Sequence, residues 1–224
     1  MQKIILFKCI SVLVDGHKMR QCYRANMVKI MSERYGKSPE FWSAIDEQIV
    51  THWDDYHADL NFSGDDGIDD IHEGLFRVTR ALFTIGKIPE PPKPDITALA
   101  NELISSPCHD VLLPDALPVI EKCQEKGYSI GAFSYLLEKQ VKAIMAEIPN
   151  LQHIIGADTL NHYEHDSLFF KKLYAHLHTS PDKIIIVATS PQTIAAATQS
   201  GLQAIPVRQS SVALEKELAH MLEN

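Results

Sequence analysis

The chain has 224 residues, 45% of them hydrophobic and 22% charged, enough to bury one compact core or a core with an inserted unit. A net charge of -8 at pH 7, with no clustered lysine and arginine, argues against nucleic acid or an anionic membrane as partner. Its four cysteines, Cys9, Cys22, Cys108 and Cys123, are scattered with no C-x-x-C pair, as expected for thiols in the reducing cytoplasm and not for a disulfide framework.

The apolar opening from Ile4 to Val14 is interrupted by Lys8 and has no small-x-small site after it. It is also too short to span a bilayer, so it reads as a buried first strand over 3–7 and not as a signal peptide or membrane helix. Helical spacing follows from Met19 to Tyr35, with Gly36 as the stop, then from Phe41 to Leu60 and from Ile71 to Ile85. Asn61–Gly67 reads as a loop between the last two, with its acidic run leading into a helix start and lacking the ligand spacing of a calcium loop. Trp42, Trp53 and Phe62 are expected in the core of this helical part, with some of that apolar face open to a partner. The run Pro89-Glu90-Pro91-Pro92-Lys93-Pro94 reads as a stiff linker out of it.

Beyond the linker the period changes. Helices are expected over Pro114–Lys126, Leu136–Ile148, Leu168–His178 and Gln192–Gln199, the first and last stopped by Gly127 and Gly201. Strands are expected near 128–133, 154–157, 184–187 and 204–207, and the unbroken Ile184-Ile185-Ile186-Val187 suits a central parallel strand. Alternating strands and helices imply an α/β fold: a Rossmann-like, mostly parallel sheet with helices on both faces. Residues 1–15 and 91–224 form this core, with an all-helical insert over 16–90 after the first strand. Ligands of such sheets sit beyond the carboxyl ends of the strands, where Lys8, Ser134 and Ala188-Thr189 fall.

Four motifs along this frame carry a resemblance. The stretch from Lys8 through Cys9, Ile10, Ser11, Val12, Leu13 and Val14 to Asp15 follows an apolar strand, as Asp-x-Asp-Gly-Thr-Leu-x-Asp does in the haloacid dehalogenase superfamily. The strand ending at Ser134, followed by Tyr135, is similar to its second motif. Glu164-His165-Asp166-Ser167-Leu168-Phe169-Phe170 resembles the third, which carries a lysine before a helix with paired aromatics. Ala188-Thr189-Ser190-Pro191-Gln192-Thr193-Ile194 resembles the fourth, whose acidic residues hold magnesium. The chain thus resembles a degenerate member, with the helical insert in the place of the family's cap domain. In that frame Lys8 replaces the nucleophilic aspartate, Ile10 the acid/base aspartate, Glu164 the lysine, and Ala188 and Thr189 the metal carboxylates.

The resemblance implies a phosphohydrolase fold without its chemistry. The family attacks phosphorus with a carboxylate and uses magnesium to neutralise the transferring group. An ammonium at Lys8 does neither. Reading Asp15-Gly16 as the motif's end instead puts Leu13 at the nucleophile's place and starts the strand too late. Lys171 and Lys172, inside the helix after Glu164, read as a solvated face and not as substitutes for the lost lysine. The vestigial catalytic places are therefore Lys8, Ile10, Ser134, Glu164 and Thr189, with Lys8, Ser134, Tyr135, Glu164 and Ser190 as expected ligand-binding residues. No metal or other cofactor, magnesium included, is expected. Lys8 and Glu164 exchange the signs of the family's pair and are expected within salt-bridge reach, with Ser134 nearby.

His162, Glu164, His165 and Asp166 offer transition-metal ligand types but match no tight spacing, and read as a polar surface loop. Cys108-His109-Asp110 contains triad residue types, but triad members meet in space and not as sequence neighbours. The function expected is that of a pseudo-phosphatase acting by binding a small molecule between core and cap, or a protein partner or second copy through the cap. An active hydrolase of non-standard, magnesium-independent mechanism is the alternative, and a scaffold or dimerisation subunit is a third.

Overall fold

A computed structural model describes residues 2–62, 67–208, 214–216 and 218. The acidic residues Asp65 and Asp66 lie outside the described residues. Five parallel strands, β1 (Ile4–Lys8), β2 (Ser129–Phe133), β3 (His153–Ile155), β4 (Ile184–Ala188) and β5 (Gln203–Pro206), form one sheet in the order β3-β2-β1-β4-β5. Every residue of β1, β2 and β4 is buried, as their continuous apolar runs require when helices cover both faces. Gly131 admits a close approach between β2 and β3: a Cβ there would lie 2.5 Å from the His153 carbonyl oxygen.

Nine α-helices are described: α1 (Gly16–Tyr35), α2 (Pro39–Thr51), α3 (Gly67–Gly86), α4 (Lys93–Ser105), α5 (Ala116–Glu125), α6 (Glu138–Ile144), α7 (Ala157–Leu160), α8 (Ser167–His176) and α9 (Pro191–Gln199). The chain divides into a unit of Met1–Met19 with Pro107–Asn224, which holds the sheet, and a helical unit of Arg20–Ser106 inserted after β1. Around the sheet, Phe133, Phe169 and Phe170 pack ring against ring, with Phe169 and Phe170 at 5.1 Å and edge to face. In the helical unit Met31, Trp42, Ile49, Phe83, Ile96 and Leu99 make a separate core. Ion pairs between exposed or half-exposed partners, such as Arg34 to Glu102 at 2.8 Å, tie its helices and add little each. No helix of the described residues is long and apolar enough to cross a membrane.

Two expectations for the helical part need correction. The proline run does not forbid structure: Pro92 caps α4 and Pro94 lies in its first turn, where a missing N–H costs nothing. Ile96, Leu99, Ala100 and Ile104 then bury the helix against the α1–α3 core, so the helical unit extends to Ser106 and does not end at residue 90. Trp53 is not a core residue. It is 47% exposed, with one ring face stacked on His57 at 4.6 Å, and Val50 is more exposed still. Trp42 is fully buried, and Phe62 is half-buried against His57.

Between β1 and α1 the chain makes one wide turn, closed by a 3.0 Å hydrogen bond from Val14 N–H to the Cys9 carbonyl. Ser11 takes φ 77 and ψ -8 within it, the left-handed region. The motif resembled by this stretch has glycine at that position. Ser11 thus takes a glycine-like backbone geometry at the position where the resembled motif, read with Lys8 at the strand end, has glycine. Asp15 accepts hydrogen bonds from His17 N–H (2.8 Å) and Lys18 N–H (3.2 Å), which hold its carboxyl below the usual range and make it a helix cap. Since β1 ends at Lys8, the shifted register through Asp15-Gly16 is excluded.

A left-handed non-glycine residue costs roughly 1–2 kcal/mol, and glycine costs roughly 0.5–1 kcal/mol in unfolded-chain entropy. Ser11→Gly is accordingly expected to be the more stable protein, by up to about 1 kcal/mol. Ser11→Ala should bring no gain, and urea midpoints of the two variants against wild type check the difference.

Candidate functional site

The strand order reverses between β1 and β4, because β2 and β3 lie on one side of β1 and β4 and β5 on the other. The carboxyl edge at such a switch point is where open α/β sheets take ligands. Lys8 ends β1 there, in register with Phe133 of β2. Its side chain is 10% exposed, and Nζ lies 2.5 Å from Oε1 of Glu164, which is 0% exposed. The expected pair is thus formed, and Ser134 follows Lys8's neighbour Phe133 in the next strand.

Glu164 is held by a loop that the surrounding sequence closes from both ends. Asn161 turns left-handed after α7, and its carbonyl accepts from Lys172 Nζ at 3.2 Å. Asp166 accepts from Leu168 N–H at 2.8 Å as the cap of α8, while its other oxygen meets His162 Nε2 at 3.0 Å. Between these anchors His165 Nδ1 lies 3.3 Å from Thr193 Oγ1 on α9. The surface-loop reading holds only in part, since His165 and Asp166 are exposed but Glu164 and His162 are buried. Among the described residues no group of three or more His, Cys, Asp or Glu could hold a metal ion. His165, considered only as a metal-ligand type, and the fully buried Thr193, named only within the fourth motif, join the site's frame through this contact. Thr193's place three residues after the cap Ser190 was the available signal.

Other candidates fall into supporting roles. Ser134 is 1% exposed, and its Oγ accepts from Leu136 N–H at 3.2 Å, so the hydroxyl oxygen serves its own turn. Tyr135 beside it is 39% exposed. Ser190 caps α9 by accepting from Thr193 N–H at 3.4 Å, with Pro191 in the first turn. Ala188 is the last residue of β4, and Thr189 follows it. Ile10 lies in the wide turn after β1. His109 points to Glu147 at 3.4 Å, while Cys108 is fully buried, so these neighbours form no triad. The resemblance of the fourth motif implies a magnesium site at these strand ends, and the residues present do not fit one. Lys8 brings an ammonium, Ala188 brings no donor, and a hard divalent cation needs carboxylate oxygens.

The electrostatics are those of a dry pair. Burial pushes the Glu164 carboxyl above its ordinary range, offset by Lys8 and then by His165. Burial, and then Glu164's charge, push the Cys9 thiol far up, which removes it as a thiolate nucleophile. Neither oxygen of Glu164 has a further hydrogen-bond partner among the described residues, and no second partner of the Lys8 ammonium is described.

No protein-family model matches the chain, and no curated protein does. Solved structures do. A defluorinating L-2-haloacid dehalogenase superposes with a TM-score of 0.64 at 13% identity, covering 100% of this chain and 96% of that one. The chain has the haloacid dehalogenase fold. A 2-haloacid dehalogenase from Pseudomonas syringae pv. Tomato DC3000 matches with a TM-score of 0.59 at 15% identity, over 99% of this chain and 100% of that one. The L-2-haloacid dehalogenase of Xanthobacter autotrophicus with chloropropionic acid covalently bound matches with a TM-score of 0.52 at 13% identity, over 98% of this chain and 83% of that one. At such identities the likeness to the haloacid dehalogenases is one of fold.

Lys8→Met strands a buried carboxylate and is expected to cost about 3–5 kcal/mol. Adding Glu164→Leu should recover most of that loss, because a buried pair replaced by apolar side chains is often neutral. Denaturant melts of the full cycle check it, and additivity would mean the two side chains are uncoupled.

A second expectation concerns pH. Because the folded carboxyl of Glu164 sits above its unfolded value, the folded chain binds the proton more tightly. That contribution to stability is full below the unfolded value and is lost as pH rises through the folded one. Wild type minus Glu164→Gln stability, followed across mildly acidic pH, should therefore fall as pH rises.

Proposed function

We propose that the protein binds a small molecule at the carboxyl edge of its sheet, on a haloacid dehalogenase fold that no longer performs aspartyl transfer. One observation carries this reading: the strand end at the switch point presents a lysine, buried and paired to Glu164 at 2.5 Å. An ammonium cannot form an aspartyl ester and repels the cation that phosphoryl transfer needs. The binding residues are Lys8 and Glu164 at the centre, with Ser134, Tyr135 and Ser190 around them. The frame that held the old chemistry survives in the capped turn at Ser190 and in the Phe169–Phe170 pair.

A second reading is a hydrolase of non-standard, magnesium-independent mechanism. It is favoured by the structural neighbours being named dehalogenases, one of them with chloropropionic acid covalently bound.

The purified chain is expected to release no phosphate from p-nitrophenyl phosphate with magnesium, and no halide from 2-chloropropionate without it. Millimolar magnesium should leave its melting temperature unchanged, since a ligand of the folded state alone must raise it. Turnover that scales with protein and disappears in Lys8→Met would overturn the binding reading in favour of the second.

A further inference from the structure

We propose that Lys8 captures small carbonyl compounds: its Nζ condenses with an aldehyde or ketone to give an imine, and Glu164 moves the proton. The inference rests on the reading of the Lys8 edge as a binding site, and it names the ligand class of that site.

The geometry first sets the pair apart from an ordinary structural ion pair. A lysine ammonium has three donors, and a buried carboxylate has lone pairs for several. Here each group has the other and no further partner among the described residues. Buried polar groups in folded proteins are nearly always satisfied, and each exception calls for an explanation. Arginine would serve a purely structural role better, since its fork can engage both carboxylate oxygens. Lysine offers what arginine cannot: an amine that becomes a nucleophile once it gives up a proton. The acceptor for that proton stands 2.5 Å away, in a place where burial disfavours its charged form.

The condensation balances without an outside reagent. Transfer of one proton from Lys8 to Glu164 gives a neutral amine and a neutral acid. The amine lone pair forms the N–C bond, and the carbonyl π pair moves to oxygen. An amine proton passes to that oxygen, giving the carbinolamine. Glu164 then protonates the hydroxyl, the C–O bond breaks, water leaves, and the nitrogen lone pair closes the C=N bond. The products are an iminium on Lys8, a carboxylate on Glu164 and one water. The bound state therefore keeps one positive and one negative group in contact, so capture leaves the electrostatics of the dry site nearly unchanged. Hydrolysis runs the same steps backward, which makes the capture reversible and fits a binding protein.

Other groups nearby do not compete. Cys9 is fully buried with a thiol held protonated, and His165 is engaged with Thr193. Ser134's oxygen accepts from its own turn. The Lys8 side chain is 10% exposed, and a carbonyl compound has to reach it through that fraction.

The test is reductive trapping on the full chain. Pyruvate and, separately, acetaldehyde are added with sodium cyanoborohydride, and the reduced adducts are located by peptide mass spectrometry. Exposed Lys29 and Lys171 report background reactivity in the same digest. Lys8 is expected to be labelled about tenfold faster than either. Glu164→Gln should slow Lys8 labelling by about a hundredfold, the usual scale of a positioned acid/base group, and leave Lys29 and Lys171 unchanged. In Lys8→Arg no other lysine should inherit the fast label. The wild-type comparison stands alone if a variant fails to fold. Lys8 unlabelled, or labelled no faster than Lys29 in chain shown folded by circular dichroism, overturns the inference. The binding reading survives that failure if another compound still raises the melting temperature in a way that Lys8→Arg abolishes. It falls by a different result, magnesium-dependent phosphate release.

Discussion

A charged pair placed where water is scarce is the constraint around which the rest of this site is arranged. Lys8 and Glu164 meet at the carboxyl edge of the sheet, one on the central strand and the other on the loop before α8. Desolvating both groups costs several kcal/mol, roughly what their attraction returns, so the pair is not there for net stability. It does fix geometry. Glu164 can stay at the strand end only if its loop is held on both sides, which the Asp166 cap, the Lys172 contact and the His165–Thr193 link accomplish. Removing either charge would leave the other buried and alone, which makes the two positions interdependent.

The features that support a strand end are mostly backbone and packing: a left-handed turn at Ser11, a capped helix at Ser190, aromatic rings under the sheet. None of these needs a catalytic carboxylate. Two facing groups of opposite sign keep the local field nearly neutral while placing an amine at the strand end.

Much of this was legible in the sequence because it rests on short-range rules. The buried strands β1, β2 and β4 announce themselves as apolar runs, and α1 and α9 stop at glycines that turn left-handed at φ 72 and 80. The Lys8–Glu164 contact could be anticipated because, in the frame of the resembled motifs, the two positions carry opposite charges. The proline run misled because proline was read as a breaker, although it is equally a helix starter, and the spacing of Ile96, Leu99, Ala100 and Ile104 was present to say so. Trp53 misled because an aromatic at helical spacing implies burial only if the helix continues, and α2 ends at Thr51. Burial of the Glu164 loop was hidden for a deeper reason. Its polar composition says surface, and only contacts far along the chain, to Lys8 and Thr193, bring it inside.

The proton on Glu164 is the most direct witness to the pair. In protein labelled at glutamate side-chain carboxyl carbons, one resonance should titrate above the rest and be absent from Glu164→Gln. Replacing Lys8 by glutamine should move that midpoint higher still, because the ammonium holds it down. If every glutamate instead titrates in the ordinary range, or Lys8→Gln leaves the Glu164 resonance where it was, the two groups are not a coupled buried pair.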